Sequence, residues 1–266
     1  MTSTYFLGAN SAQGFYSLYG GFPPRGGFLH IIKGGPGTGK SGFMRAIGAE
    51  AERHGMDVEY VLCSGDPDSL DGVYIPALNT AWVDGTAPHA LDPVIFGVTG
   101  DYVNLGRFCR TPFSPENQEA IRRITPAYKA LYAEGYEHIA AAGKCEVRGD
   151  FDLAPLEKRL DMILRRCPAD GAPYERRVFL RAISCRGLLS LADTLAGYGE
   201  VYEFTSSHGG GAPALELVRR EAERRGLCRV LSMSPLHPER IDAVMRPAAG
   251  IAFFAGSYGT GPARHI

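Results

Sequence analysis

The chain has 266 residues, which allows one large or two modest domains with a packed core. Hydrophobic residues at 45% and charged residues at 21% exclude a disordered or collagen-like chain. With 28 Lys+Arg against 29 Asp+Glu, the net charge of -1 gives no global attraction to nucleic acid or to an anionic membrane.

Met1 to Phe6 lacks the basic and long apolar stretches of a secretory signal, and no apolar run approaches the roughly 18 residues of a spanning helix. Residues 28–33, a mostly apolar run, predict a strand buried on both faces, as in a parallel sheet. A glycine cluster follows, then a helical pattern from Lys40 to His54 with Phe43, Met44, Ile47 and Ala51 on one side and Gly55 as the stop. Val58–Cys63 and Thr80–Val83 read as two further strands, the last closed by Asp84-Gly85. Strand, glycine loop, helix and strand open an α/β fold with a parallel sheet.

The middle of the chain reads as helical. Ser114-Pro115-Glu116 is an N-cap, a proline at the first helical position and an early acid. Thr125-Pro126 repeats the signal, so two helices or one kinked helix are expected up to Ala142. Another helix from Pro155 carries Leu156, Leu160 and Leu164 at i, i+4 and i+8.

The last third repeats the first. Residues 179–191 match residues 6–18 at seven of thirteen positions, and residues 222–256 match 51–85 at eleven of thirty-five. Chance identity is about 7% per position at ordinary residue usage. The expected organisation is therefore a first half over 1–110, a helical insertion over 111–172 and a second half over 173–266.

Gly34, Gly35, Pro36, Gly37, Thr38, Gly39, Lys40 and Ser41 satisfy G-x-x-x-x-G-K-[ST] between a predicted strand and a predicted helix. Glycines let the backbone curl with its N–H groups pointing at phosphate, and the helix start adds free N–H groups and a positive dipole end. Lys40 is expected to reach the β- and γ-phosphates, and Ser41 to offer a hydroxyl to Mg²⁺. Asp84, at a strand tip, is the expected second Mg²⁺ ligand, although Asp-Gly is also good turn chemistry. No Glu follows Asp84, which leaves an attacking water without an obvious base.

Other candidates carry competing readings. Asp66, Asp68 and Asp71 follow the second strand and could face a ligand crevice, Asp66 as a metal-shell group or simply as a cap or turn. His89 could approach a γ-phosphate or be a loop histidine. Arg107 and Arg110 could neutralise charge or be solvated. Cys63 reads as a small buried residue at a strand end. The six cysteines (Cys63, Cys109, Cys145, Cys167, Cys185 and Cys228) form no C-x-x-C pair. That predicts a reducing compartment, the cytoplasm, and no zinc or disulfide scaffold. Arg219-Arg220 and Arg224-Arg225 could hide a basic face for nucleic acid, but read better as the solvated side of a helix.

The stretches KGGPGTGKS (33–41), CSGDPDSLDG (63–72), VDGTAPH (83–89) and NLGRF (104–108), led in by Ala9 to Leu18, resemble a poorly characterised bacterial P-loop family of two tandem halves whose members are described only as ATPases or nucleotide kinases. The match spans about 5–108 and resumes more weakly over 178–256. The resemblance implies nucleotide binding through Gly34–Ser41. The second half departs from it: Ser206–Pro213, opposite the loop, has no G-K-S, Ala255 stands opposite Asp84, and no lysine follows Lys158. It reads as a degenerate half that stops soon after its third strand.

The leading expectation is thus a cytoplasmic, Mg²⁺-dependent ATP-binding protein with slow ATPase activity, in which Lys40 and Asp84 are the catalytic residues, Ser41 and Asp84 placing Mg²⁺ and Lys40 stabilising charge that develops on the γ-phosphoryl group. One alternative is a small-molecule or nucleotide kinase with an unknown acceptor. Another is a nucleotide-dependent switch or scaffold with a protein partner or self-association and negligible turnover. No membrane partner is expected, and nucleic acid is disfavoured.

Overall fold

The computed structural model describes residues 2–87, 91–109, 113–145, 152–167, 173–191, 193–204, 211–256 and 264–265. The chain begins with β1 (Ser3–Phe6) and a hairpin of β2 (Gly8–Ser11) and β3 (Gly14–Ser17). Strand β4 (Phe28–Lys33) leads through the glycine loop into α1 (Lys40–Arg53). Strands β5 (Glu59–Leu62), β6 (Leu70–Ile75), β7 (Thr80–Asp84) and β8 (Gly100–Asn104) follow. They form one six-stranded sheet in the order β1-β5-β6-β7-β4-β8. Strand β4 is parallel to both of its neighbours, β7 and β8.

The fold is mixed α/β, and its sheet is not the uniformly parallel one expected. Strand β6 runs antiparallel to β5 and β7. Connections of this length cannot carry the dozen or more residues of a parallel crossover, so neighbouring strands must reverse. On α1 the core face is Met44, Gly48 and Ala51, while Phe43 stands 37% exposed, outside the stripe predicted for it. Gly48 permits the contact: a Cβ there would lie 2.4 Å from the Tyr60 hydroxyl oxygen.

Of the two helices or one kinked helix expected, the structure has one helix, α2 (Pro115–Gly143). Ser114 caps it, its hydroxyl accepting from Asn117 N–H at 3.3 Å. Pro126 sits inside the helix without ending it. None of its residues is buried, so water can satisfy the carbonyl that loses its donor. Helix α3 (Ala154–Leu164) buries Leu160, Ile163 and Leu164.

The second sheet is built from β9 (Glu175–Val178), β12 (Glu200–Phe204), β13 (Arg229–Met233), β14 (Ile241–Arg246), β15 (Ile251–Ala255) and β16 (Arg264–His265). The hairpin β10 (Arg181–Ser184) and β11 (Gly187–Ser190), a one-turn helix α4 (Asp193–Ala196) and helix α5 (Gly211–Arg224) complete it. Its order, read from the other edge, is β9-β13-β14-β15-β12-β16. Strand for strand and direction for direction, this is the order of the first sheet. Even the register shift between Val61 and Leu62 recurs between Ser232 and Met233. Strand β16 pairs with β12 as β8 does with β4, so the second sheet continues beyond the point where the sequence match stops.

The identities shared by the two halves have physical reasons. In each hairpin a serine hydroxyl bonds the carbonyl of a glycine three residues on, Ser11 to Gly14 and Ser184 to Gly187. Both glycines hold φ near +88°, which other residues rarely adopt. The halves meet through reciprocal backbone bonds of 2.8 Å between Phe6 and Phe179. One hydrophobic core joins Phe6 and Ala9 to Phe179, Leu215 and Phe253, with Leu160, Ile163 and Leu164 of α3 beside them. A second joins Tyr5 and Leu7 to Val178, Ala243 and Phe254. Helix α3 therefore packs as part of the second half's core rather than as a bare connector.

Candidate functional site

The glycine loop lies at the carboxyl end of β4, between the two strands parallel to it. That end of an open sheet, beside a helix start, is where α/β folds bind ligands. Gly37 and Gly39 take φ of +77° and +86°, turning the chain into α1. Gly39 is the N-cap and offers no side chain to the first-turn N–H groups. Those donors and the helix dipole together favour an anion.

Lys40 folds back over the loop. Its Nζ donates to Gly34 O at 2.8 Å and Gly35 O at 3.0 Å, and lies 3.5 Å from Asp84 Oδ2. The two side chains are 10% and 16% exposed, so the pair stands largely out of water. Thr38 Oγ1 donates to Gly35 O at 2.9 Å and ties the loop to itself. Ser41, one residue into α1, accepts from Leu70 N–H at 2.9 Å. Pro36 and Gly37 form the exposed tip.

Asp84 makes the turn expected of Asp-Gly and also faces the loop lysine. Oδ1 accepts from Thr86 N–H at 2.9 Å and from the Thr86 hydroxyl, which is a turn; Oδ2 is the oxygen that faces Lys40. Gly85 is required by close approach, because a Cβ there would lie 2.2 Å from Ile31 Cγ2. Lys33 braces this corner, donating to Gly85 O at 2.8 Å and Leu91 O at 2.9 Å. Lys33 and Thr86 were missed as site residues. The only signal for either was adjacency, Lys33 to the loop and Thr86 to Asp84-Gly85.

The remaining candidates fall elsewhere. Asp66 holds a turn, accepting from Ser69 N–H at 2.8 Å and from the Ser69 hydroxyl at 2.6 Å. Asp68 pairs with Arg186 of the second half, whose guanidinium holds its carboxyl below the usual range. Asp71 is buried within β6. Cys63 is half-buried, and burial, with the Asp71 carboxylate adding to it, pushes its thiol up to about 12. Arg107 lies in the turn after β8, with its guanidinium over the Phe108 ring. His89 and Arg110 lie outside the described residues. Among Arg219-Arg220 and Arg224-Arg225, Arg219 forms ion pairs with Glu216 and Glu223, Arg224 with Glu221, and Arg225, just past α5, with Asp161.

In the second half, Ala255 faces Phe204 in the register that Asp84 shares with Ile32. A Cβ on Gly211, at the start of α5, would lie 2.4 Å from Ala255 Cβ, whereas one on Gly39 would meet nothing within 4 Å. The start of α5 thus packs directly on its neighbouring strand. Residues 205–210, opposite the glycine loop in the sequence match, lie outside the described residues.

Ser41 Oγ and Asp84 Oδ2 are hard oxygen donors of the kind Mg²⁺ takes, and both belong to the segments that frame the loop. Among the described residues, no group of three or more His, Cys, Asp or Glu side chains could hold a metal alone. A cation here would rely on phosphate and water for most of its shell. A cavity of about 570 Å³ lies elsewhere, lined by Tyr5, Glu59, Arg176 and Tyr198 among others. A phosphate cradle is a surface of backbone N–H groups rather than a deep cavity, so cavity size does not locate it. Among the described residues, no helix is long and apolar enough to cross a membrane. Comparison with protein-family models, with curated proteins and with solved structures found no match.

Proposed function

We propose that residues 34–41 are the phosphate loop of a nucleoside triphosphate site, and that the protein is a slow Mg²⁺-dependent ATPase. The observation that carries this reading is the convergence of Lys40 Nζ on the Gly34 and Gly35 carbonyls and on Asp84 Oδ2, at the mouth of a loop opening onto an uncapped helix start. In this reading the loop N–H groups and Lys40 hold the β- and γ-phosphates, and Lys40 offsets charge that develops on the γ-phosphoryl group. Ser41 and Asp84 would hold Mg²⁺, whose chemistry there is to neutralise phosphate charge. ATP is favoured over GTP because the chain has no N-K-x-D guanine-reading motif.

Slow turnover follows from Gly85. The position after Asp84 has no room for any side chain, so no carboxylate base can stand there to take a proton from the attacking water. The test is phosphate release from ATP·Mg²⁺ without an added acceptor, by the wild type and by Asp84→Asn. Slow release that falls at least tenfold in the variant supports the ATPase. ATP consumption only when an acceptor is added would replace it with a kinase.

A further inference from the structure

The turn that follows β8 belongs to the same end of the sheet as the glycine loop, because β8 runs parallel to β4. The two segments touch. A Cβ built on Gly34 would lie 3.4 Å from Gly106 N, and one built on Gly106 would lie 3.8 Å from Gly34 Cα. Cys109 N–H closes the turn on Gly106 O at 3.1 Å. Phe108 stands two residues past this contact, within about 7 Å of chain. Phe108 is 77% exposed, with the Arg107 guanidinium 5.6 Å from its ring centroid.

A nucleotide whose β-phosphate sits in the loop carries its base one phosphate and one ribose away. A flat, uncharged surface near the loop but not part of it is what the base requires. An exposed ring offers such a face, and a guanidinium beside it adds a planar cation to the platform. We propose that Phe108, assisted by Arg107, is the stacking platform for the base of the bound nucleotide. This inference rests on the phosphate-loop reading above. It gives a task to the segment Asn104–Phe108, which that reading does not otherwise use. Stacking engages the π-face that every base presents, so the platform confers affinity for a nucleotide over a bare polyphosphate.

The experiment compares ATP·Mg²⁺ with inorganic tripolyphosphate·Mg²⁺ by isothermal titration on the wild type, Phe108→Ala, Phe108→Trp and Lys40→Ala. Phe108→Ala is expected to weaken ATP about tenfold and to leave tripolyphosphate within twofold, with Phe108→Trp restoring ATP. Lys40→Ala is expected to weaken both ligands. Unchanged ATP affinity in Phe108→Ala overturns the platform and leaves the loop reading intact. Equal losses for both ligands also overturn it, since Phe108 would then act on the loop. A wild type that binds neither ligand overturns the loop reading itself, and the platform with it.

Discussion

At the level of single residues, the loop's chemistry depends on contacts that one atom can disturb. Gly85→Ala would set a methyl 2.2 Å from Ile31 Cγ2 and about as close as contact allows to Lys33 Nζ, at 3.2 Å. Overpacking of this kind costs about 1–3 kcal/mol, so the urea midpoint should fall without a change in slope. An unchanged midpoint would mean that the corner is looser than its distances indicate. Cys63 makes a second test. Its folded thiol is pushed up to about 12 by burial, beyond the ordinary value near 8.5. The unfolded chain therefore loses this proton first as pH rises, and the Cys63 contribution to stability declines above about pH 8.5. At pH 8, iodoacetamide should modify exposed Cys145 and Cys185 and spare Cys63, as peptide mass spectrometry would show. Rapid labelling of Cys63 would contradict its burial.

At the level of elements, α2 shows how far context overrides a local signal. Pro126 is a helix breaker in a chain that needs each backbone bond, but no residue of α2 is buried and Pro126 itself is exposed. Pro126→Ala should restore one backbone bond and raise hydrogen-exchange protection over about the turn preceding it, with a stability gain of up to ~3 kcal/mol. No change in protection would mean that the helix is not strained there. Much of the first half was legible: β4, α1 and β7 announce themselves by an apolar run, a glycine stop and an Asp-Gly closure. Strand β6 was not. Its Asp71-Gly72 looks like turn chemistry, whereas all six of its residues are buried between β5 and β7. Strand β8 hid because it is five residues at a sheet edge, alternating with solvent. In the site, the loop and Asp84 carried motif signals. The Gly106 contact did not, because only the pairing of β4 with β8 brings it to the loop, and the Lys33 brace did not, because its partners Gly85 and Leu91 lie far along the chain.

At the level of the whole molecule, the two sheets are not separable by cutting at residue 172. Phe6, Ala9 and the α3 leucines share a core with the second sheet, and Phe6 shares two backbone bonds with Phe179. A fragment of residues 173–266 should therefore lack a cooperative thermal transition by circular dichroism; a sharp transition would show that it supplies its own core. The two sheets have the same strand order but different crevices: Lys40 and Asp84 face each other beside one loop, and Ala255 packs under the helix start in the other. The proposed function therefore predicts one triphosphate per chain. The most direct measurement is isothermal titration of the purified protein with ATP·Mg²⁺, beside Lys40→Ala. A single site is expected in the wild type and at least a tenfold loss of affinity in the variant. Equal binding by both proteins, or none by the wild type, would contradict it.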